Sequence, residues 1–206
     1  KLSEKAAAMY QQLERTMLLP FADGDVDAAT AAILTNKLLQ LAGGAVYDEN
    51  GKAQIVHDQK LEVLDQLIEE ANGQPVLVFY NYKHELDRLQ ARYPQAIHVK
   101  EENVVKRWNA KEIPILLANP ASAGHGLNLQ FGGHIAIWYS PTWNLEFFQQ
   151  ANKRLHRRGQ AETVLIHTLM AKGTIDERIY DIVLRNKEAG QNALLEAVKA
   201  RIKEVT

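Results

Sequence analysis

The sequence predicts an α/β fold, a parallel sheet with helices on both faces, plus an N-terminal helical segment and a C-terminal helix. Three observations predict it. From residue 74 onward, short apolar runs at 76–80, 113–118, 134–139 and 163–169 alternate with stretches at helical spacing, the rhythm of βα crossovers. The runs VLVFY and IPILLA are apolar on successive residues rather than on every second one, as in strands buried on both faces. Before residue 74 the apolar spacing is mostly helical.

In order, residues 1–19 form a helix with Ala6, Met9, Tyr10, Leu13 and Met17 on its apolar stripe. Asp23-Gly24-Asp25 breaks it, and a second helix over 27–41 stops at Gly43-Gly44. Residues 45–56 read as a hairpin turning at Asn50-Gly51. A helix spans 58–71, with Leu61, Leu64, Leu67 and Ile68 inward. The strand 76–80 is followed by a helix over 82–92, a short strand at 96–99 and a helix over 101–110. The strand 113–118 opens into a Gly-rich loop, 119–128. After the strand 134–139 come a helix over 144–157 and the strand 163–169. A last helix starts near Thr174 and runs past residue 195. Thr174 and Glu177 stand at N-cap and N3 spacing, so they read as a capping box rather than as catalytic groups. Trp138, inside an apolar strand, and Trp108, at the end of an amphipathic helix, read as packing residues.

Composition narrows the function. The 206 residues are 46% hydrophobic and 24% charged, as in an ordinary globular chain. No apolar run reaches the roughly 20 residues that span a bilayer, and no cationic-apolar leader is evident. The expected setting is therefore soluble, without membrane contact. With no cysteine there is no disulfide or thiolate metal site, and no histidine pair shows ligand spacing, so no metal is expected in this chain. The net charge of −1 hides an asymmetry: residues 1–100 carry 10 Lys and Arg against 14 Asp and Glu, whereas residues 101–206 carry 14 against 11. An anionic partner is expected on the second half. The start at Lys1 reads as that of a fragment.

Two stretches could carry chemistry. The first is 119–129, NPASAGHGLNL, directly after a buried strand, where α/β sheets bind ligands. Gly124 and Gly126 permit positive φ or close approach of a partner, though a flexible connection fits the same residues. The second is 149–160, QQANKRLHRRGQ. On a continuous helix Gln150, Arg154 and Arg157 share a face, and arginine matches phosphate oxygens bidentately. A solvated basic face is the plainer reading; Leu155 within the run and the Gly-rich loop nearby favour a site.

These stretches resemble motifs V and VI of the Snf2 family in helicase superfamily 2. Gly124-His125-Gly126-Leu127-Asn128-Leu129 is similar to the family's Gly-Leu-Gly-Ile-Asn-Leu core. Residues 150–160 satisfy its Gln-Ala-x-x-Arg-x-x-Arg-x-Gly-Gln pattern at every fixed position. Tyr139–Asn144 resembles its Trp-Asn segment, and Lys172–Ile179 its Gly-Thr-x-Glu-Glu-x-Ile segment. Val76–Tyr80 sits where motif IV would, after Lys60-Leu61. The likeness covers about residues 55–185. His125, Arg158 and Ala121 depart from it, standing where the family has aliphatic, apolar and often Arg residues.

The resemblance implies a RecA-like helicase C-terminal domain over 57–185, a helical protrusion or linker with a short hairpin over 1–56, and a helical tail over 186–206. It implies a DNA-dependent ATPase that translocates on or remodels duplex DNA without sequence preference, cytoplasmic or, in a eukaryote, nuclear. ATP and Mg would be bound mainly by an N-terminal RecA-like half of the same chain, with Arg154 and Arg157 supplied as arginine fingers and Gly124, Gly126 and Gln150 at the nucleotide. Ser122, His125, Asn128 and Trp143 would meet nucleic acid, Trp143 being read with equal weight as core. No Gly-x₄-Gly-Lys-[Ser/Thr] occurs in these residues, so this chain alone is expected to be inactive. The alternatives are an RNA helicase half, disfavoured by the Gln-Ala-x-x-Arg-x-x-Arg-x-Gly-Gln form because the common RNA helicase version carries Gly before its first arginine, and a non-catalytic nucleic-acid-binding module.

Overall fold

The computed structural model describes residues 1–21, 27–123, 126–181 and 192–205. In chain order the elements are α1 (Glu4–Leu18) with a 3₁₀ turn at Leu19–Phe21, α2 (Ala28–Gly43), the strands β1 (Ala45–Tyr47) and β2 (Ala53–Ile55), α3 (Gln59–Glu70), β3 (Val76–Phe79), α4 (Lys83–Arg92), β4 (Ile97–His98), α5 (Val104–Asn109), β5 (Ile115–Ala118), α6 (Pro120–Ala123), β6 (Ile135–Trp138), α7 (Leu145–Asn152), β7 (Leu165–Thr168), α8 (Ile175–Ile179) and α9 (Asn192–Val205). They pack as two units. One comprises Leu61–Ser140 and Glu146–Leu169; the other comprises Lys1–Lys60, Pro141–Leu145 and Met170–Thr206.

The first unit is a five-stranded, wholly parallel sheet in the order β4-β5-β3-β6-β7. Its central strands bury both faces, which explains their unbroken apolar runs. Val76 and Val78 face one core with Leu64, Leu89, Leu117 and Ile137. Leu77 and Phe79 face the other with Trp108, Leu116, Trp138 and Leu155. Trp108 and Trp138 are fully buried, as the sequence predicts. The edge strand β7 is the exception, with Leu165 and Ile166 exposed.

The second unit is helical and draws on both ends of the chain. Ser3 caps α1 by accepting from the Ala6 amide, and Asp27 caps α2 by accepting from the Thr30 amide at 2.7 Å. Gly44, at φ +101°, ends α2. The hairpin forms as predicted, with Asp48 Oδ1 accepting from the Asn50 and Lys52 amides across the turn. The Tyr10 hydroxyl donates to Glu14 Oε1 at 3.1 Å and accepts from the Ile175 amide at 3.0 Å. Arg201 grips both oxygens of Glu14 at 2.7 Å. Lys60 and Asp176 form a buried ion pair at 2.6 Å.

Three details differ from expectation. The Gly-rich loop begins with one helical turn, α6, because Asn119 Oδ1 caps the Ala121 amide at 3.1 Å. The helix predicted over 144–157 ends at Asn152. The Thr174–Glu177 pair does not close a capping box: Thr174 Oγ1 accepts from the Asp176 amide at 3.2 Å, and Glu177 Oε2 reaches the Gly173 amide at 3.0 Å, one residue before the cap. The continuity of the predicted last helix, and the boundary expected at 185/186, lie outside the described residues.

Candidate functional site

In the sheet unit the two chemistry-bearing stretches meet. Arg157 donates from Nη1 to Asn128 Oδ1 at 2.5 Å, joining the basic segment to the end of the Gly-rich loop. The Asn128 carbonyl in turn accepts from Asn109 Nδ2 at 2.9 Å. Asn128 is thus held on its main chain while its side chain holds the guanidinium.

The route by which Arg157 arrives corrects the sequence reading. Gln150, Arg154 and Arg157 do not share a helix face. Beyond Asn152 the backbone bonds run Arg154 N–H to Ala151 O, His156 N–H to Asn152 O and Arg157 N–H to Leu155 O, so the chain leaves helical register. Leu155 is the cause on one side, sunk into the core beside Trp138. Gly159 is the cause on the other: at φ +98° it reverses the chain under Phe131, whose ring atom lies 3.2 Å from where a Cβ would stand. Arg154 is half-buried on this turn, whereas Arg157 and Arg158 are exposed. Gln150 lies back on α7, its amide donating to Glu146 Oε1 at 2.7 Å. Beside the turn is a cavity of about 630 Å³, lined by His156, Arg157, Arg158, Gln160, Glu162 and Thr163 with Val164 and Ile166. Its guanidinium and imidazole donors fit phosphate oxygens. No three His, Asp or Glu side chains converge as a metal site among the described residues.

The other predicted residues are spread out. Gly126 adopts φ +73°, the conformation for which glycine was expected. Gly124 and His125 lie outside the described residues. Ser122 lines a cleft of about 440 Å³ with Val99, Lys100, Ala121 and Leu127. Trp143 belongs to the helical unit, where its indole is 38% exposed and donates to Asn36 Oδ1 at 3.4 Å. That exposure removes the core reading of Trp143.

Sequence reasoning missed a polar network at the carboxyl ends of the central strands. Buried Glu85 accepts from Ser140 Oγ at 2.6 Å and from the Asn81 and Tyr82 amides at 2.8 and 3.2 Å. Asn81 Nδ2 donates to the Ser140 carbonyl, and Asn119 Nδ2 to the Tyr80 and Asn81 carbonyls. The loops after β5, β3 and β6 are thereby pinned together at the end of the sheet where α/β folds place ligands. The only signal was polar residues immediately after apolar strands. His98, bonded to the Tyr80 hydroxyl at 2.8 Å, is held below its ordinary pKa by burial and by the charge of Lys100, so it is neutral near pH 7.

The family described as "Helicase conserved C-terminal domain" matches residues 59–159. Putative protein p41 of Acyrthosiphon pisum secondary endosymbiont phage 1 is 40% identical over 209 residues, 98% of this chain and 45% of that protein. Chromatin-remodeling ATPase INO80 of Mycosarcoma maydis is 32% identical over 170 residues, 73% of this chain and 9% of that protein. The chain therefore spans less than half the length of these curated relatives. The Sulfolobus solfataricus SWI2/SNF2 ATPase core, solved in complex with dsDNA, matches 98% of this chain and 46% of its own with a TM-score of 0.68. At 19% identity that likeness speaks to the fold alone.

Proposed function

We propose, from the premise that this chain belongs to the Snf2 family of helicase superfamily 2 as its C-terminal RecA-like domain, that it is the second half of an ATP-driven motor that translocates on or remodels duplex DNA. In this reading an N-terminal RecA-like half of the same protein holds Mg-ATP, and this chain closes on it with Arg154 and Arg157 as arginine fingers. The observation that carries it is the Arg157–Asn128 bond, which makes the basic turn and the Gly-rich loop one connected piece.

The bound nucleotide and metal would supply the phosphoryl group and its primary charge neutralisation. Arg157, exposed and aimed by Asn128, donates to equatorial oxygens as negative charge spreads over them, and an inserted arginine contributes about 10³–10⁵ in rate. Arg154 adds a second guanidinium from the same turn. His156 and Arg158 bring further donors to the adjacent cavity. Gly126 turns the Gly-rich loop so that its amides, with Ser122, His125 and Asn128, can approach a phosphate backbone, a contact blind to base sequence. Trp143 offers an exposed indole for the same partner. Duplex DNA is favoured over RNA by the form of the 150–160 motif, which lacks the Gly that common RNA helicases carry before the first arginine, and the Sulfolobus protein of this fold was solved on dsDNA. A cytoplasmic or nuclear setting follows from the same reading. No helix among the described residues is long and apolar enough to cross a membrane.

The test is ATP hydrolysis by the full-length protein with duplex DNA, single-stranded DNA or RNA, beside this chain alone. Duplex DNA is expected to stimulate turnover most, with no turnover from the isolated chain. Stimulation by RNA but not by duplex DNA would overturn the substrate assignment.

A further inference from the structure

Between the basic turn and the sheet lies a residue whose side chain is wholly occupied. Gln160 Nε2 donates to the Gln130 carbonyl and to the Gly133 carbonyl, each at 2.9 Å. Its Oε1 accepts from the Glu162 amide at 3.0 Å, and its own amide closes the turn on the Arg157 carbonyl at 3.1 Å. Both hydrogens of the carboxamide nitrogen and its oxygen are therefore engaged, and these three bonds fix the rotamer.

What Gln160 grips is itself rigid. The 128–133 loop is wedged on Trp108, which is fully buried and donates from Nε1 to the Leu129 carbonyl at 2.8 Å. A Cβ at Gly132 would fall inside the van der Waals shell of the Trp108 carbonyl and ring, and one at Gly133 would stand 2.8 Å from the Pro75 carbonyl. The loop is thus packed against α5 with no room between them. Asn109, the last residue of α5, holds Asn128. The arginine turn is consequently fastened to one mount at two points, Gln160 at its end and Asn128 through Arg157 itself.

We propose that Gln160 is a positioning residue that fixes the turn so that Arg157 presents its guanidinium in one place. This rests on the assignment of Arg157 as a finger. A finger acts on charge that exists only in the transition state, so loosening its mount lowers kcat and leaves ground-state binding of nucleotide nearly intact. A displacement of about 1 Å can cost about a hundredfold in rate.

The experiment compares Gln160→Met and Gln160→Glu with Arg157→Ala in the full-length protein. The readouts are kcat and KM for ATP under saturating duplex DNA, together with the thermal midpoint. Gln160→Met removes both donated hydrogens without adding charge. Gln160→Glu keeps the volume and the oxygen that meets the Glu162 amide but has no hydrogen for Gln130 or Gly133. Both variants are expected to lose between about tenfold and a hundredfold in kcat, with KM for ATP within about threefold. If both turn over within twofold of the unaltered protein while Arg157→Ala is dead, the positioning role is overturned and the finger stands. If Arg157→Ala turns over fully, the finger assignment falls, and the positioning role with it. If kcat falls only in step with a collapse of the thermal midpoint, in both variants, Gln160 is a stability residue and the proposal is overturned.

Discussion

Arg157 shows how little of a residue's role is its own. Its charge is guaranteed, but its direction is set by Asn128, 29 positions earlier. His84 is a second residue defined by its surroundings. It is 2% exposed, and burial, reinforced by the Arg88 charge, lowers its pKa from 6.5 to about 4. Between those values the unfolded chain binds a proton that the folded chain refuses. Its contribution to stability is therefore complete above pH 6.5 and is lost as pH falls toward 4, amounting to roughly 3 kcal/mol at the limit. Urea midpoints measured at pH 7 and pH 4.5 are expected to fall in that direction, and His84→Phe should flatten the decline; an unchanged slope would refute the assignment. The sequence made the candidates at this scale visible, since Asn128, Arg154 and Arg157 stand in recognisable patterns. It could not show the pairings, because a hydrogen bond between residues 128 and 157 exists only once β6 and α7 have folded between them.

At the scale of elements, the mount for the basic turn is the 128–133 loop packed on α5. Gly132 is needed there for space, not for backbone freedom. Gly132→Ala forces its methyl into the Trp108 backbone and ring, and neither can retreat from a filled core, so a loss of about 3 kcal/mol or more is expected in a denaturant titration. A variant within about 0.5 kcal/mol of the unaltered chain would show that the wedge is loose. Legibility at this scale followed the physics of each element. The buried strands were plain, because double-sided burial leaves an unbroken apolar run. The early end of α7 was not. Gln149 to Arg158 has no proline and no glycine, and what stops the helix is the pull of Leu155 into the core and the reversal at Gly159. The network around Glu85 was equally silent, since a glutamate in the first turn of a helix usually serves the helix dipole and does not tie two strand-end loops together.

At the scale of the molecule, the chain joins a sheet unit carrying the Arg157–Asn128 connection with a helical unit built from both of its ends. The sheet unit carries the basic turn and the Gly-rich loop on one side-chain bridge, and in the proposed reading both meet phosphates. Such a pair suits a motor, in which a track and a fuel must be sensed together. The central claim is that Arg154 and Arg157 complete the ATPase site of another domain in the full-length protein. The most direct measurement is ATP turnover of full-length Arg154→Ala and Arg157→Ala under saturating duplex DNA, with nucleotide affinity read separately by equilibrium binding. The account predicts that turnover falls by about 10³ or more while nucleotide still binds. Full turnover in both variants would contradict it.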